Sequence, residues 1–250
     1  MMTTILSYAK GNVREELKVH IREMLRTLNS SANSRAFRFV SNIGTGLHCF
    51  GDAVRLAIIF HDFGKIFYQN NWSRAGYLYF TGHEQISAMF LKEFLRILGE
   101  SDYDAPLIKL KNPIIFAVLY HHHAMGNRSI PIDISYSSRV ISLLNEFKGD
   151  ALCIMKEHEL EDYRSALEGA VLGFEKLLKT NRLHLLACTK DMGLSTNIWK
   201  AYNRDENERS LMLLLLLILV SSDYEASQKI RGGPLSTFYR ATREFADNYL

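Results

Sequence analysis

The sequence predicts an all-α fold, with a single helical domain over residues 1–250. Apolar residues recur mostly at the three- and four-residue spacing of amphipathic helices, and strand signals are sparse. Of the 250 residues, 47% are hydrophobic and only 4 are proline. This composition suits one sizeable globular core and excludes collagen-like and proline-rich chains. No internal repeat or low-complexity linker divides the sequence.

The helices follow from this spacing in chain order. The first is predicted over 13–28, where apolar residues lie at steps of four and seven, and a loop over 29–34 follows it. A buried helix is predicted over about 52–63. The next helix is predicted to begin at Thr81, because Thr81 and Glu84 have the spacing of a capping box.

The second half of the chain continues the same pattern. Pro113 suits the first turn of a helix that runs to about His122. A turn-rich connection is predicted over 126–136, and a short strand over 77–80. Further helices are predicted near 137–147, 159–180 and 206–227.

Charge and cysteine content narrow the functional classes. A net charge of +3 is too small to establish nucleic-acid binding, but the protein lacks the strongly acidic charge that would repel a polyanion. The three cysteines have no short paired spacing, so neither a disulfide framework nor a zinc ribbon is expected. The N-terminus lacks a signal-peptide pattern, and the apolar run over 211–220 is shorter than the roughly 20 residues of a membrane span. We therefore expect a cytoplasmic protein with no membrane partner.

Five helices each direct an imidazole or a carboxylate toward the core. An inward His alone is ordinarily a hydrogen-bonded core residue, and an inward Asp alone is a cap or an ion-pair partner. Here few Lys or Arg share the same faces, and an unpaired buried carboxylate costs several kcal/mol. Bound metal would satisfy all of these groups, and the adjacent ligands His61 and Asp62 would allow one carboxylate to bridge two ions. The inward residues are His20, His61, Asp62, His83, His122 and Asp223.

These residues belong to motifs that follow one another in a specific order. His20 is followed by HDFGK at 61–65, GHEQISA at 82–88, a histidine doublet, and SDYEAS around Asp223. The order resembles the HD metal-dependent phosphohydrolase signature and, more closely, the CRISPR-associated HD nuclease of type I interference. The resemblance extends from about residue 10 to residue 227. It implies an HD-type helical domain with loops over a metal site.

The resemblance also implies a role for each residue. One ion would be held by His20, His61, Asp62 and Asp223, and the second by Asp62, His83, His121 and His122. Lys65 would face the scissile phosphate, and Ser87 and Ser227 would support ligands or contact substrate. The chain has three consecutive histidines where the family has two. On the helical wheel His122 is central, so His121 and His122 are assigned as ligands and His123 as a substrate contact or a replacement ligand.

The implied activity is hydrolysis of single-stranded DNA or RNA, with two ions roughly 3.5–4 Å apart activating a water. The nitrogen-rich ligand set favours Mn, Fe, Co or Ni, with Mg as an alternative. No P-loop is present, so no helicase is expected within this sequence. The resemblance then implies a separate helicase subunit and an RNA-guided surveillance complex as partners. Two rival functions are an HD phosphohydrolase acting on nucleotides or cyclic dinucleotides, and a non-catalytic scaffold. Trp72, Tyr77 and Tyr79 would form either stacking platforms for unpaired bases or a small hydrophobic core, and we expect the small core.

Overall fold

The structure, a computed structural model, describes residues 4–28, 35–42, 46–102, 105–122, 137–180, 194–232 and 237–249. Helices dominate these segments, which confirms the predicted all-α class. The helices are α1 (Leu17–Leu28), α2 (Arg35–Asn42), α3 (Leu47–Phe60), α4 (His83–Ser101), α5 (Lys111–Tyr120), α6 (Ser138–Glu157), α7 (Arg164–Lys179), α8 (Leu194–Arg204), α9 (Glu206–Arg231) and α10 (Thr237–Tyr249). Shorter 3-10 helices cover Phe63–Tyr68, Pro106–Leu110 and Glu161–Tyr163.

A β-hairpin precedes the first helix, where the sequence predicted helix from residue 13. Strands β1 (Leu6–Lys10) and β2 (Val13–Glu16) pair antiparallel, and Lys10 lies opposite Val13. Gly11 in the turn has a φ of 57°, a conformation that glycine adopts without strain. Isolated bridges from Lys10 to Tyr77 and from Trp72 to Leu78 extend the hairpin. At the predicted strand over 77–80 the structure has only these bridges, and β1 and β2 are the strands among the described residues.

Helix α3 lies at the centre of the core. Phe50, Leu56 and Phe60 on this helix are fully buried, and α1, α4, α5 and α9 pack around it. The helix begins and ends earlier than the predicted 52–63, because a 3-10 helix takes over at Phe63. The phenyl ring of Phe63 stacks on that of Phe90 at 3.8 Å between centroids, which anchors this turn to α4.

The predicted start of α4 at Thr81 is wrong. The helix begins at His83, and Gly82 before it has a φ of 84° and no side-chain cap. A left-handed residue at this position breaks the helical path, so the capping-box pair of Thr81 and Glu84 does not form.

The other predicted helices correspond to α5, α6, α7 and α9, with ends that differ by a few residues, and by about ten at the end of α6. Helices α2, α8 and α10 were not predicted. The predicted loop over 29–34 and the predicted connection over 126–136 lie outside the described residues.

Helix α9 is long and apolar enough to cross a membrane by length and composition alone, and it is the one such helix in the part of the chain that the structure describes. However, 56% of its most apolar stretch is buried within the protein. It packs against α1, α3, α5 and α10, and it carries the buried Asp223. These are the features of a core helix of a globular domain.

Candidate metal centre

Residues at the ends of three helices meet residues within two other helices at one place in the fold. His61 directly follows α3, His83 is the first residue of α4, and His121 directly follows α5. His20 lies within α1 and Asp223 within α9. All five residues are buried.

The side chains form two adjoining groups, and within each group the possible ligand atoms lie within 4.8 Å of one another. The first group contains His20, His61 and Asp223, and the second contains Asp62, His83, His121 and His122. His61 Nε2 lies 3.2 Å from Asp62 Oδ2, so Asp62 connects the two groups. The structure thus brings together all seven side chains that the sequence analysis assigned as metal ligands.

The hydrogen bonds of His61, His83 and His121 fix which ring nitrogen faces the site. In each, Nδ1 lies 2.6–2.7 Å from the backbone oxygen of the residue three positions earlier. A carbonyl oxygen only accepts, so Nδ1 carries the proton and donates. The Nε2 lone pair is then directed into the site, and all three Nε2 atoms are buried without a hydrogen-bond partner.

The contact between His83 and Asp62 shows why these groups fit a cation. His83 Nε2 lies 2.8 Å from Asp62 Oδ1. Burial lowers the pKa of the His83 imidazole, so the ring is neutral and its lone pair faces a carboxylate oxygen. Two acceptors this close repel each other unless a cation lies beside both. A divalent metal with nitrogen and oxygen ligands meets that requirement.

Asp62 is kept ionised by its surroundings. Burial alone would raise the pKa of its carboxyl group, but His61 and Lys65 hold the pKa well below the usual range. Lys65 Nζ lies 2.5 Å from Asp62 Oδ2 and donates to the Ser7 backbone oxygen at 3.1 Å. The Lys65 side chain is only 8% exposed. Its ammonium group therefore contacts Asp62, and the role of Lys65 toward the scissile phosphate stays a prediction.

His20 and Asp223 form a buried pair in the first group. Burial lowers the pKa of His20, but hydrogen bonds with Asp223 and Glu15 outweigh this and raise it to about 9. Burial raises the pKa of Asp223, yet His20 brings it well below its usual range. Cation binding between these side chains therefore requires His20 to release a proton. Ser227 Oγ donates to Asp223 Oδ1 at 3.3 Å, which supports this carboxylate.

Gly64 and Ser87 hold the turn after α3 against α4. A Cβ atom on Gly64 would lie 2.1 Å from the backbone oxygen of His83, so only glycine allows this approach. Ser87 Oγ accepts a hydrogen bond from the Gly64 N–H at 2.8 Å. Ser87 is fully buried and contacts the backbone of this turn, and its predicted role toward ligands or substrate stays a prediction.

The histidine run differs from its helical-wheel description. Helix α5 ends at Tyr120, and His121, the residue that follows it, still has right-handed helical φ and ψ. His121 is buried at 3% exposure, and His122 is only partly buried, with its ring 5.0 Å from that of His83. The central position predicted for His122 therefore belongs to His121. His123 lies outside the described residues.

Two residues near the first group were not predicted from the sequence. Glu15 Oε1 lies 2.7 Å from His20 Nδ1, and Arg231 pairs with the other oxygen of Glu15. The sequence signal for Glu15 was weak, because the stretch before α1 was predicted as helix. In that geometry Glu15 would not have faced His20.

Comparison with known proteins gives one match. A family model described as HD domain matches residues 19–167. The matched range contains every ligand candidate except Asp223. No curated protein and no solved structure matches the chain.

Proposed function

Because the chain belongs to the HD domain family, we propose that it is a metal-dependent nuclease that hydrolyses phosphodiester bonds of single-stranded nucleic acid. HD domains generally hydrolyse phosphoester bonds and bind divalent metals. The proposal narrows this activity to a polymeric substrate, DNA or RNA. It also places the chain in type I CRISPR interference in the cytoplasm, beside a separate helicase and an RNA-guided complex, as the order of motifs suggests.

The observation that carries the proposal is the pair of adjoining ligand groups that Asp62 connects. Asp62 contacts His61 of the first group through Oδ2 and His83 of the second through Oδ1. Divalent cations bound at such a pair of sites supply an activated water and stabilise charge on the phosphate. The chain contributes buried imidazole Nε2 atoms and ionised carboxylates in fixed orientations, and His61 and Lys65 keep Asp62 charged.

A row of two exposed tyrosines, Tyr77 and Tyr79, in the segment that leads to α4 supports a single-stranded substrate. Trp72, Tyr77 and Tyr79 are 45%, 42% and 42% exposed. The expectation that they form a small hydrophobic core is therefore wrong, and only Leu78 between the two tyrosines is buried. Exposed aromatic rings are platforms on which unpaired bases stack, at about 1–3 kcal/mol per base.

The backbone connects this row to the metal centre. Segment 71–79 folds back on itself, since Ser73 N–H donates to Tyr77 O at 2.8 Å and Tyr79 N–H donates to Asn71 O at 3.2 Å. The next residue, Phe80, accepts the hydrogen bond of His83 Nδ1 through its backbone oxygen. A strand stacked on the row would therefore lead toward the ligand groups.

The decisive experiment compares substrates with Mn²⁺ present. Circular single-stranded DNA, single-stranded RNA, duplex DNA, free nucleotides and cyclic dinucleotides are offered to the same preparation. We expect cleavage of the circle, which shows endonuclease action. Hydrolysis confined to nucleotides or cyclic dinucleotides would support the rival phosphohydrolase, and a protein without stoichiometric metal or activity would support the scaffold.

The aromatic row is tested by the double variant Tyr77→Ser/Tyr79→Ser. We expect KM for an oligonucleotide to rise about 5-fold or more, with kcat little changed, because stacking binds bases away from the cleaved bond. The control is Phe39→Ser, which removes an aromatic ring of similar exposure on α2. Equal KM values for the double variant and the control would contradict a role of the row in substrate binding.

A further inference from the structure

The Nδ1 atom of His20 has a different kind of hydrogen-bond partner from the Nδ1 atoms of His61, His83 and His121. His61, His83 and His121 each donate from Nδ1 to a backbone oxygen. His20 Nδ1 instead lies 2.7 Å from the carboxylate of Glu15, which strand β2 supplies. The side chains of both residues are fully buried.

Arg231 completes this arrangement from the end of α9. Its Nε and NH2 atoms lie 2.7 and 2.6 Å from Glu15 Oε2, and its guanidinium lies 4.3 Å from the ring centre of Tyr8. Glu15 therefore uses one oxygen for His20 and the other for Arg231. The chain of contacts runs from Arg231 through Glu15 and His20 to Asp223, whose Oδ1 lies 3.0 Å from His20 Nε2.

We infer that Glu15 is a positioning residue for the first ligand group, and that Arg231 holds Glu15 in place. The inference rests on the metal centre of the proposed function. A carboxylate that accepts the Nδ1 proton orients the imidazole and makes Nε2 a stronger donor to a metal than a backbone carbonyl does. Glu15 would therefore raise the affinity of the group that contains His20, His61 and Asp223.

The test is the isosteric variant Glu15→Gln, measured by calorimetric titration of the metal-free protein with Mn²⁺. The Gln side-chain oxygen can still accept from His20 Nδ1, and its amide NH2 then faces Arg231 in place of the second carboxylate oxygen. The variant therefore keeps the hydrogen bond that orients the ring, and it removes the charge together with the pairing to Arg231. Removal of such a partner lowers metal affinity about 10- to 100-fold. We expect this loss at one of two sites, with the other unchanged. Titration with Co²⁺ adds a visible spectrum that reports the ligands directly.

The matched control is Glu16→Gln at the next position. The Glu16 side chain is 42% exposed and lies 3.5 Å from Lys18, so it has the same chemistry away from the site. Its Mn²⁺ affinities should equal those of the wild type. Circular dichroism and thermal melting in chelator show whether each variant folds.

Arg231→Gln tests the outer half of the chain. It leaves Glu15 buried without its cation, so we expect an affinity loss of the same sign as for Glu15→Gln. Because Arg231 acts through Glu15, the double variant Glu15→Gln/Arg231→Gln should bind Mn²⁺ no more weakly than Glu15→Gln alone. If Glu15→Gln does not fold, Arg231→Gln carries the test, and an unchanged affinity in it overturns the inference.

The outcomes separate the two proposals. A wild-type protein that binds no Mn²⁺ would overturn the proposed function and this inference with it. A wild-type protein that binds two ions, with a folded Glu15→Gln variant of equal affinity at both sites, would overturn the role of Glu15 alone. Equal losses in Glu15→Gln and Glu16→Gln would show a general charge effect and would also overturn it.

Discussion

The buried contact between Asp62 and Lys65 allows us to predict how substitution of Asp62 changes stability and activity. Asp62 is 1% exposed and the Lys65 side chain 8%, so the ammonium and the carboxylate neutralise each other out of contact with water. Asp62→Asn keeps the shape but leaves Lys65 as an uncompensated buried charge. Breaking a buried pair in this way costs about 3–5 kcal/mol. For a chain of this size each kcal/mol lowers Tm by about 2–4 °C, so we expect a fall of about 6–20 °C.

The double variant Asp62→Asn/Lys65→Met separates stability from chemistry. It removes both charges, so most of the lost Tm should return. Metal binding and cleavage should not return, because Asp62 is the carboxylate that connects the two ligand groups. Melting is measured in chelator, metal binding by titration with Mn²⁺, and activity on circular single-stranded DNA.

A matched control lies on α3, the helix that precedes Asp62. Asp52 is also buried, but it contacts Arg55 at 3.1 Å and the Tyr163 hydroxyl at 2.9 Å, away from both ligand groups. Asp52→Asn should lower Tm and keep Mn²⁺ binding and cleavage. The reasoning is refuted if Asp62→Asn melts like the wild type in chelator, or if the double variant cleaves DNA at the wild-type rate.

Three further predictions follow from the site. Gly64→Ala should lower stability by about 2 kcal/mol or more and disturb metal binding, because the new Cβ would lie 2.1 Å from a backbone oxygen. The control is Gly149→Ala, which has open space around its Cβ and should be neutral or stabilising. Thermal melting measures both. In the histidine run His121→Ala should lose the most activity, His122→Ala nearly as much, and His123→Ala should keep measurable cleavage; full activity of His121→Ala would remove it from the site. Metal at 100 times its Kd should raise stability by about 2.7 kcal/mol per site over the chelated protein, and an unchanged Tm after verified metal removal would contradict binding to the native state.

The ligand candidates could be predicted from the sequence because they lie in short motifs or on regular helix faces. His61 and Asp62 are neighbours, so one turn of backbone brings both to the site. Asp223 follows the apolar spacing of α9, and its burial agrees with that spacing. Local geometry of this kind is fixed by a few residues on either side. It does not depend on how distant segments meet.

The surroundings of the ligands could not be predicted, because they depend on backbone that is not helical. The apolar spacing over 13–28 is compatible with one helix, yet pairing of Lys10 with Val13 makes its first turn a strand. Gly82 likewise takes a left-handed conformation that the Thr81 capping pattern does not reveal. In both places a long-range contact or a single glycine outweighs helical periodicity.

The position of each ligand on its helix explains why the hairpin is needed. His61 and His121 follow helix ends, where the last carbonyl oxygens have no partner within the helix, so each Nδ1 donates to such an oxygen three residues earlier. His20 lies inside α1, where the helix uses the nearby carbonyl oxygens for its own hydrogen bonds. Its Nδ1 must therefore find a partner on another element, and Glu15 on β2 is that partner.

Asp223 is also inside a helix, and its support likewise comes from side chains. His61 and His121, directly after their helices, are oriented by carbonyl oxygens of those helices, whereas His20 within α1 depends on the side chain of a second residue. Substitution of Glu15 should therefore affect one metal site and leave the other unchanged.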